Sequence, residues 1–186
     1  MHTCLATFSC STFMTPGVAT NSAPVMLCSL CADTQYITKQ VAAQLELLHR
    51  LHGVAPTTRT AAYITRRLCY DLHRQRDASA SLICAGADGA VYSIPSGGSI
   101  IKEAVAFSGS GSSTIMAHCD AAYRADFSKE ACIAFVEQSL RLAISRDSYS
   151  GGDIVMLVLS ATGIERIVRS HSEHQSQQII EPFAWR

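Results

Sequence analysis

Two cysteines early in the chain have the spacing of a redox or zinc-binding pair. Cys28 and Cys31 are separated by Ser29 and Leu30. A structural zinc site needs a second cysteine or histidine pair at ligand spacing, and none follows. In a reducing compartment the scattered cysteines are expected to be small buried apolar residues. The pair leaves a small thiol protein as an alternative function, and no metal is predicted there.

Two other groups of residues have the spacing of ligand sites. The segment from Ser108 to Ser112 alternates serine and glycine before a predicted helix, whose start attracts anions. It lacks the lysine of a P-loop and the full glycine spacing of a dinucleotide-binding fold. His171 and His174 could bind a metal, but two histidines alone do not complete a site, and an exposed tail is the interpretation we favour. We therefore predict neither cofactor nor metal.

Composition indicates one neutral domain. The chain has 186 residues, of which 48% are hydrophobic and 16% charged, and its net charge is +0. This balance offers no electrostatic reason to expect nucleic acid or a membrane surface as partner. No apolar run has the length of a membrane span, and the front of the chain resembles neither a secretory signal nor a transit peptide. The expected location is the cytoplasm and nucleus.

Two helices are predicted after the front segment. Apolar residues recur every three or four positions from Asp33 to about Leu51, and Gly53 and Pro56 end that helix. The second helix runs from about Thr58 to His73 and is basic, with Arg59, Arg66, Arg67, Arg74 and Arg76 along it and just beyond. The sequence shows no accompanying aromatic stacking platform, which favours a solvated or subunit-facing surface over nucleic-acid binding.

Short strands, two helices and a final strand pair follow. The predicted ranges are Ala80 to Ala85, Ala90 to Ile94, Ser99 to Lys102 and Val105 to Ser108 for strands, about Ser113 to Arg124 and Lys129 to Arg146 for helices, and Ile154 to Ser160 and Ile164 to Val168 for the last strands. Helices and strands in separate groups are typical of an α+β fold with antiparallel sheets.

The front segment, residues 1–31, is predicted to be divergent and poorly ordered. From Met1 to Ala32 there is no Asp, Glu, Lys or Arg, and no hydrophobic period is sustained. One strand is expected at Val25 to Leu30. With little apolar burial to offset the entropy of ordering, Met1 to about Pro24 is expected to be dispensable and to be cut first by chymotrypsin.

Several segments carry a family resemblance. In chain order they are Ala32-Asp33-Thr34-Gln35, Val91 to Gly98, Ala104 to Ser113, Asp120 to Arg124, Ser128 to Cys132, and Arg146 to Gly152. Together they resemble a proteasome β-type subunit, and within that family the caspase-like, post-acidic type. The resemblance covers roughly Ala32 to Val168. It divides the chain into residues 1–31, a β-type domain at 32–170 and a tail at 171–186.

The resemblance implies a fold, partners and a set of site residues. The implied fold is the four-layer α-β-β-α sandwich of amino-terminal nucleophile hydrolases, here with incomplete sheets. The implied partners are other proteasome α and β subunits, with peptides bound only inside the particle. Ser110, Asp147 and Ser150 match the residues that support the catalytic threonine. A carboxylate flanked by two hydroxyls suits proton handling, although the same residue types also favour turns and caps.

The resemblance also implies that the catalytic groups are absent from this chain. Family members place the nucleophilic threonine and its lysine and aspartate partners before the helix that begins near Asp33, where this chain has no such charges. Ser29 replaces an oxyanion-hole glycine, and Leu27 replaces a basic substrate-binding residue. The interpretation is a structural β-ring subunit that uses the later helix pair and the tail as contacts. The alternative is a truncated form of an active threonine endopeptidase that cleaves after acidic residues.

Overall fold

The computed structural model describes residues 3–8, 12–14, 25–28, 32–76, 80–161 and 163–170. Among these residues, eight strands and four helices alternate in groups. Their bounds in chain order are β1 Thr3–Phe8, β2 Thr12–Met14, β3 Val25–Cys28, α1 Ala32–His52, α2 Thr58–Arg76, β4 Leu82–Ala85, β5 Val91–Ile94, β6 Ile101–Glu103, α3 Ser112–Ala122, α4 Lys129–Arg146, β7 Ile154–Ser160 and β8 Gly163–Arg169. The predicted α+β class is confirmed.

Helices α1 and α2 form a hairpin over one core cluster. The residues of α1 predicted to form an apolar stripe include Ile37, Val41 and Leu45, and all three are fully buried. They pack with residues of α2 and with Leu82 and Ile94 of the strands that follow. The helix ends where Gly53, at φ 67°, donates its N–H to the His49 carbonyl at 2.8 Å. A left-handed conformation at this position is one that glycine adopts without steric cost.

The larger sheet contains five antiparallel strands in the order β2-β3-β4-β5-β6. A hairpin turn at Asp88-Gly89 joins β4 to β5, and Gly89 takes a φ of 77°. Strand β4 is buried along its whole length because it lies inside the sheet with packed residues on both faces. The sheet therefore connects the α1–α2 hairpin to a second apolar cluster.

The smaller sheet has the order β1-β7-β8, and its middle strand is buried from Ile154 to Leu159. Leu157 and Leu159 of β7 pack against Ile83, Ala85 and Val91 of the larger sheet. On its two edges β7 pairs antiparallel with β1, from Thr3 opposite Leu159 to Phe8 opposite Ile154, and with β8. A strand of such apolar composition is stable when both edges and both faces are covered.

Strands β1 and β2 correct the expectation for the front segment. Only the strand near Val25 was expected, and β3 confirms it at Val25–Cys28. The expectation of no regular structure before it is wrong for Thr3–Phe8 and Thr12–Met14, because β7 and β3 offer strand edges that hydrogen-bond whatever side chains β1 and β2 carry. The other residues of 1–31, and the tail at 171–186, lie outside the described residues.

Helices α3 and α4 pack on each other next to the smaller sheet. Ile115, Cys119 and Ala143 are buried between them, with Phe107 and Phe135 against this cluster. Ser128 is the N-cap of α4, and its hydroxyl accepts the Ala131 N–H at 3.2 Å. The predicted strand at Val105 to Ser108 is wrong. That segment is a loop, because Ala106 and Phe107 anchor it to two different clusters instead of pairing its backbone.

Candidate functional site

Three of the residues that the sequence singles out meet at one carboxylate. The Ser110 hydroxyl donates to Asp147 Oδ2 at 2.6 Å, across 37 positions of the chain. The Ser150 hydroxyl donates to the same oxygen at 2.5 Å. The other oxygen, Oδ1, accepts the backbone N–H of Tyr149 at 3.3 Å. We name Ser110, Asp147 and Ser150 the carboxylate cluster.

The end of α4 and a tight turn position the carboxylate. Asp147 is the C-cap of α4, and its N–H donates to the Ala143 carbonyl at 2.8 Å. The chain then turns, because the Ser150 N–H donates to the Asp147 carbonyl at 3.1 Å. An aspartate at the first position of such a turn bonds the backbone two residues on, as it does here with Tyr149. Asp147 and Ser150 are thus held together by local structure alone.

A glycine corner before α3 brings Ser110 to them. Gly109 takes a φ of 105°, and its carbonyl accepts the Ser112 N–H at 3.1 Å. Gly111 is buried, and a Cβ built there would lie 2.9 Å from Ser150 Oγ, 3.1 Å from Ala143 Cβ and 3.3 Å from Asp147 Oδ2. The corner therefore approaches the end of α4 only because residue 111 has no side chain. In the sequence, this segment is a candidate for a phosphate-binding loop. In the structure, Ser110 of this segment donates a hydrogen bond to the Asp147 carboxylate.

The hydrogen bonds set the electrostatics of the cluster. Those from Ser110 and then Ser150 lower the pKa of Asp147 below its ordinary value of 3.8, with a smaller contribution from the Tyr149 N–H. A carboxylate with a lowered pKa is a weak base, so it does not remove a proton from either serine at neutral pH. Both hydroxyl protons are instead held in charge-assisted hydrogen bonds. Within the described residues, this arrangement joins the corner before α3 to the turn after α4.

The structure does not describe the side chains of the other residues predicted for chemistry. Leu27 and Cys28 lie on β3, and the structure does not describe their side chains. Ser29, Cys31, His171 and His174 lie outside the described residues. Where side chains are described, no group of three or more potential ligands could hold a metal ion. No helix in the same ranges is long and apolar enough to cross a membrane.

The described cysteines fit the prediction of small buried apolar residues. Cys69, Cys84 and Cys119 are buried, and Cys132 is half-buried. Burial raises the pKa of Cys69 and of Cys84 to about 12. Thiols with such a high pKa remain protonated and unreactive at neutral pH. These two cysteines therefore stabilise the α1–α2 cluster by packing.

The sequence interpretation missed two features. Gly111 was part of a quoted motif, but its role as a spacer follows from a contact across the fold. The basic helix α2 also carries two aromatic residues on its exposed side, Tyr63 and Tyr70, which the sequence analysis did not single out. Their seven-residue spacing, close to two helical turns, was the signal that could have found them.

Comparison with known proteins identifies a relationship over most of the chain. The model of the family described as "Proteasome subunit" matches residues 20–159. The likeness was expected to begin at Ala32, and it begins earlier, so that β3 lies within it. The described strands and helices from β3 to β7 therefore lie within the matched region, apart from Ser160 at the end of β7, and β8 lies beyond it.

Individual relatives agree with the family match. The chain is 42% identical to the proteasome subunit beta type-1 of Saccharomyces cerevisiae over 148 residues, which cover 77% of this chain and 67% of that protein. It is 39% identical to the proteasome subunit beta type-6 of Dictyostelium discoideum over 139 residues, covering 73% of this chain and 64% of the relative. Against the proteasome subunit beta type-9 of Homo sapiens, the identity is 37% over 145 residues, covering 74% and 63%.

These alignments span only about two thirds of the relatives' length. The family match nevertheless includes the carboxylate cluster, and all three of these relatives are β-type subunits. The chain belongs to the proteasome subunit family, and within that family it is a β-type subunit.

Proposed function

We propose that this chain occupies a position in the β ring of the 20S proteasome core particle and acts there as a structural subunit, not as a peptidase. The observation that carries the proposal is the carboxylate cluster, in which Asp147 is satisfied by Ser110, Ser150 and the Tyr149 N–H. A carboxylate bonded in this way stabilises the joint between α4 and the corner before α3. The partners that follow are the other α and β subunits, and the location is the cytoplasm and nucleus.

The fold that we propose for this role is the four-layer α-β-β-α sandwich with incomplete sheets. Three clusters support it. One joins α1 and α2 to the five-stranded sheet, the second joins the two sheets, and the third lies between α3 and α4. Helix α4 also contacts β1 and β7 of the smaller sheet. Among the described strands, β1, β2, β6 and β8 form the edges of the two sheets, and such edges would be covered in an assembly.

A second candidate is a truncated form of a threonine endopeptidase that cleaves after acidic residues. The observation that favours it is the exposure of Ser110, which leaves one side of the cluster accessible to a group supplied from elsewhere. Such a group would find a carboxylate and two hydroxyls already in place for proton handling. The two candidates differ in what the loss of the Asp147 charge should change.

Replacing Asp147 with asparagine is expected to lower the melting temperature by about 3 °C and to weaken co-purification with other β subunits. The reason is that two charge-assisted hydrogen bonds become ordinary ones. Melting is followed by circular dichroism. Asp126→Asn removes an exposed carboxylate that is not part of the cluster and serves as the matched control. Unchanged melting and assembly, together with a loss of post-acidic peptide cleavage, would favour the endopeptidase.

Comparing the melting of the wild type and of Asp147→Asn at several pH values gives a second test. The folded-state pKa of Asp147 is lowered from 3.8, so its stabilising contribution is complete above that ordinary value and is lost as the pH falls through the lower folded-state pKa. The difference in melting temperature between wild type and Asp147→Asn should therefore be constant above about pH 5 and shrink at more acidic pH. If the difference in melting temperature instead grew as the pH fell, these hydrogen bonds would not be what stabilises the charged form of Asp147.

A further inference from the structure

The exposed side of α2 has an unusual composition. Nine residues of this helix are exposed, and they comprise five arginines, two tyrosines, one histidine and one glutamine: Arg59, Tyr63, Arg66, Arg67, Tyr70, His73, Arg74, Gln75 and Arg76. The acidic residue of α2, Asp71, is half-buried beside this face. We name the exposed residues from Arg59 to Arg74 the arginine–tyrosine face. It concentrates positive charge on a chain whose net charge is +0.

Among the described residues, the central arginines of this face form no ion pair. The ion pairs between described residues join Glu46 to Arg50, Glu165 to Lys129, and Glu137 to Arg141 and Arg169. None of them involves Arg66, Arg67 or Arg74. Exposed cations without an internal partner keep their full capacity for charge-assisted hydrogen bonds to an external carboxylate.

The two tyrosines are held in place, although about half of each side chain is exposed. Tyr63 is 47% exposed, and the Arg59 guanidinium lies 5.5 Å from the centre of its ring. Tyr70 is 50% exposed, and its backbone is in close contact with the turn at Gly98. Anchored aromatic residues add contact area at a small cost in entropy. Arginine and tyrosine are also the residue types most enriched in the energetically dominant parts of protein interfaces.

We propose that the arginine–tyrosine face of α2 is a docking surface for a protein segment rich in carboxylates. The choice of a protein over nucleic acid follows from Tyr63, because the guanidinium of Arg59 already occupies a face of its ring and leaves that face unavailable to a base. The neutral chain also lacks the general positive field that attracts nucleic acid. This surface is separate from the carboxylate cluster, and the inference does not depend on the proposed function.

The test measures binding of a fluorescein-labelled glutamate-rich peptide to the purified chain by anisotropy. A glutamine peptide of equal length and a uridine oligonucleotide are measured in parallel. The glutamate peptide should bind, and added salt should weaken it because the contact is made by exposed charges. The double charge reversal Arg66→Glu with Arg67→Glu should weaken binding by at least about tenfold. The matched control, Lys39→Glu with Lys102→Glu, changes the net charge equally at exposed sites outside this face and should leave the affinity within about twofold.

Circular dichroism establishes that each variant is folded, and Arg66→Ala with Arg67→Ala replaces the reversal if the latter does not fold. Three results would each overturn the proposal. They are no binding of the glutamate peptide by the wild type, equal losses in the control and the face variants, and tighter binding of the oligonucleotide than of the glutamate peptide. The last result would assign the face to nucleic acid.

Discussion

Replacing Gly98 with alanine is expected to lower the free energy of unfolding by about 3 kcal/mol, from backbone strain and overpacking together. Gly98 takes a φ of 72°, which a side chain disfavours. A Cβ there would also lie 2.6 Å from Tyr70 Cβ and 3.0 Å from both the Arg66 carbonyl and Tyr70 Cα. Because two of these three atoms belong to the α2 backbone, the helix would have to move away from the β5–β6 turn.

The neighbouring glycine provides a matched control. A Cβ at Gly97 would meet nothing within 4 Å, and Gly97 is not among the glycines with positive φ. Gly97→Ala should therefore change the unfolding free energy by no more than about 0.5 kcal/mol. Urea denaturation of the two variants gives both values. Equal stability of the two variants would mean that α2 does not pack against this turn as described.

The comparison between sequence and structure shows where local patterns suffice. The bounds of α4 were predicted without error, because Ser128 caps it and the Asp147 turn ends it. The turn at Gly98 contacts Tyr70, which lies far from it in the chain, and no local pattern predicts that contact. Local signals therefore predict an element and its ends, whereas packing between elements needs the fold.

Deleting Met1–Phe8 is expected to abolish most of the soluble monomer. The deletion removes β1 and leaves one edge of β7 unpaired along six residues. Strand β7 is buried over Ile154–Leu159. Without β1, its edge would expose apolar side chains together with unpaired backbone N–H and C=O groups, and such an edge tends to pair with other chains. Size-exclusion chromatography with light scattering measures the monomer, and circular dichroism measures the remaining structure.

A replacement variant distinguishes the contribution of the β1 backbone from that of its side chains. Residues 3–8 are exchanged for six alternating threonines and valines, which favour a strand. This variant should recover the monomer, because pairing with β7 uses the backbone. A fully soluble and stable deletion variant would instead support the expectation from sequence that the front segment is dispensable.

The front segment and the carboxylate cluster show why sequence patterns were insufficient in two places. The front segment has no charge to alternate with its apolar residues, so β1 has no recognisable period and exists because β7 offers an edge. Ser110 and Asp147 are 37 positions apart, and no helical or strand period links them. Their association was predicted from the family resemblance alone. The hydrogen bonds and the spacing at Gly111 required the structure.

The most direct test of the structural role is native mass spectrometry of 20S particles purified through a tagged copy of this chain. The particles are first treated with a covalent inhibitor directed at amino-terminal threonines. We expect the chain to be present in the intact particle and to carry no inhibitor adduct, since the role that we propose for its cluster is to join two loops. An adduct on any threonine of this chain from Thr3 to Thr20, or recovery of the tagged chain without other proteasome subunits, would contradict the structural role.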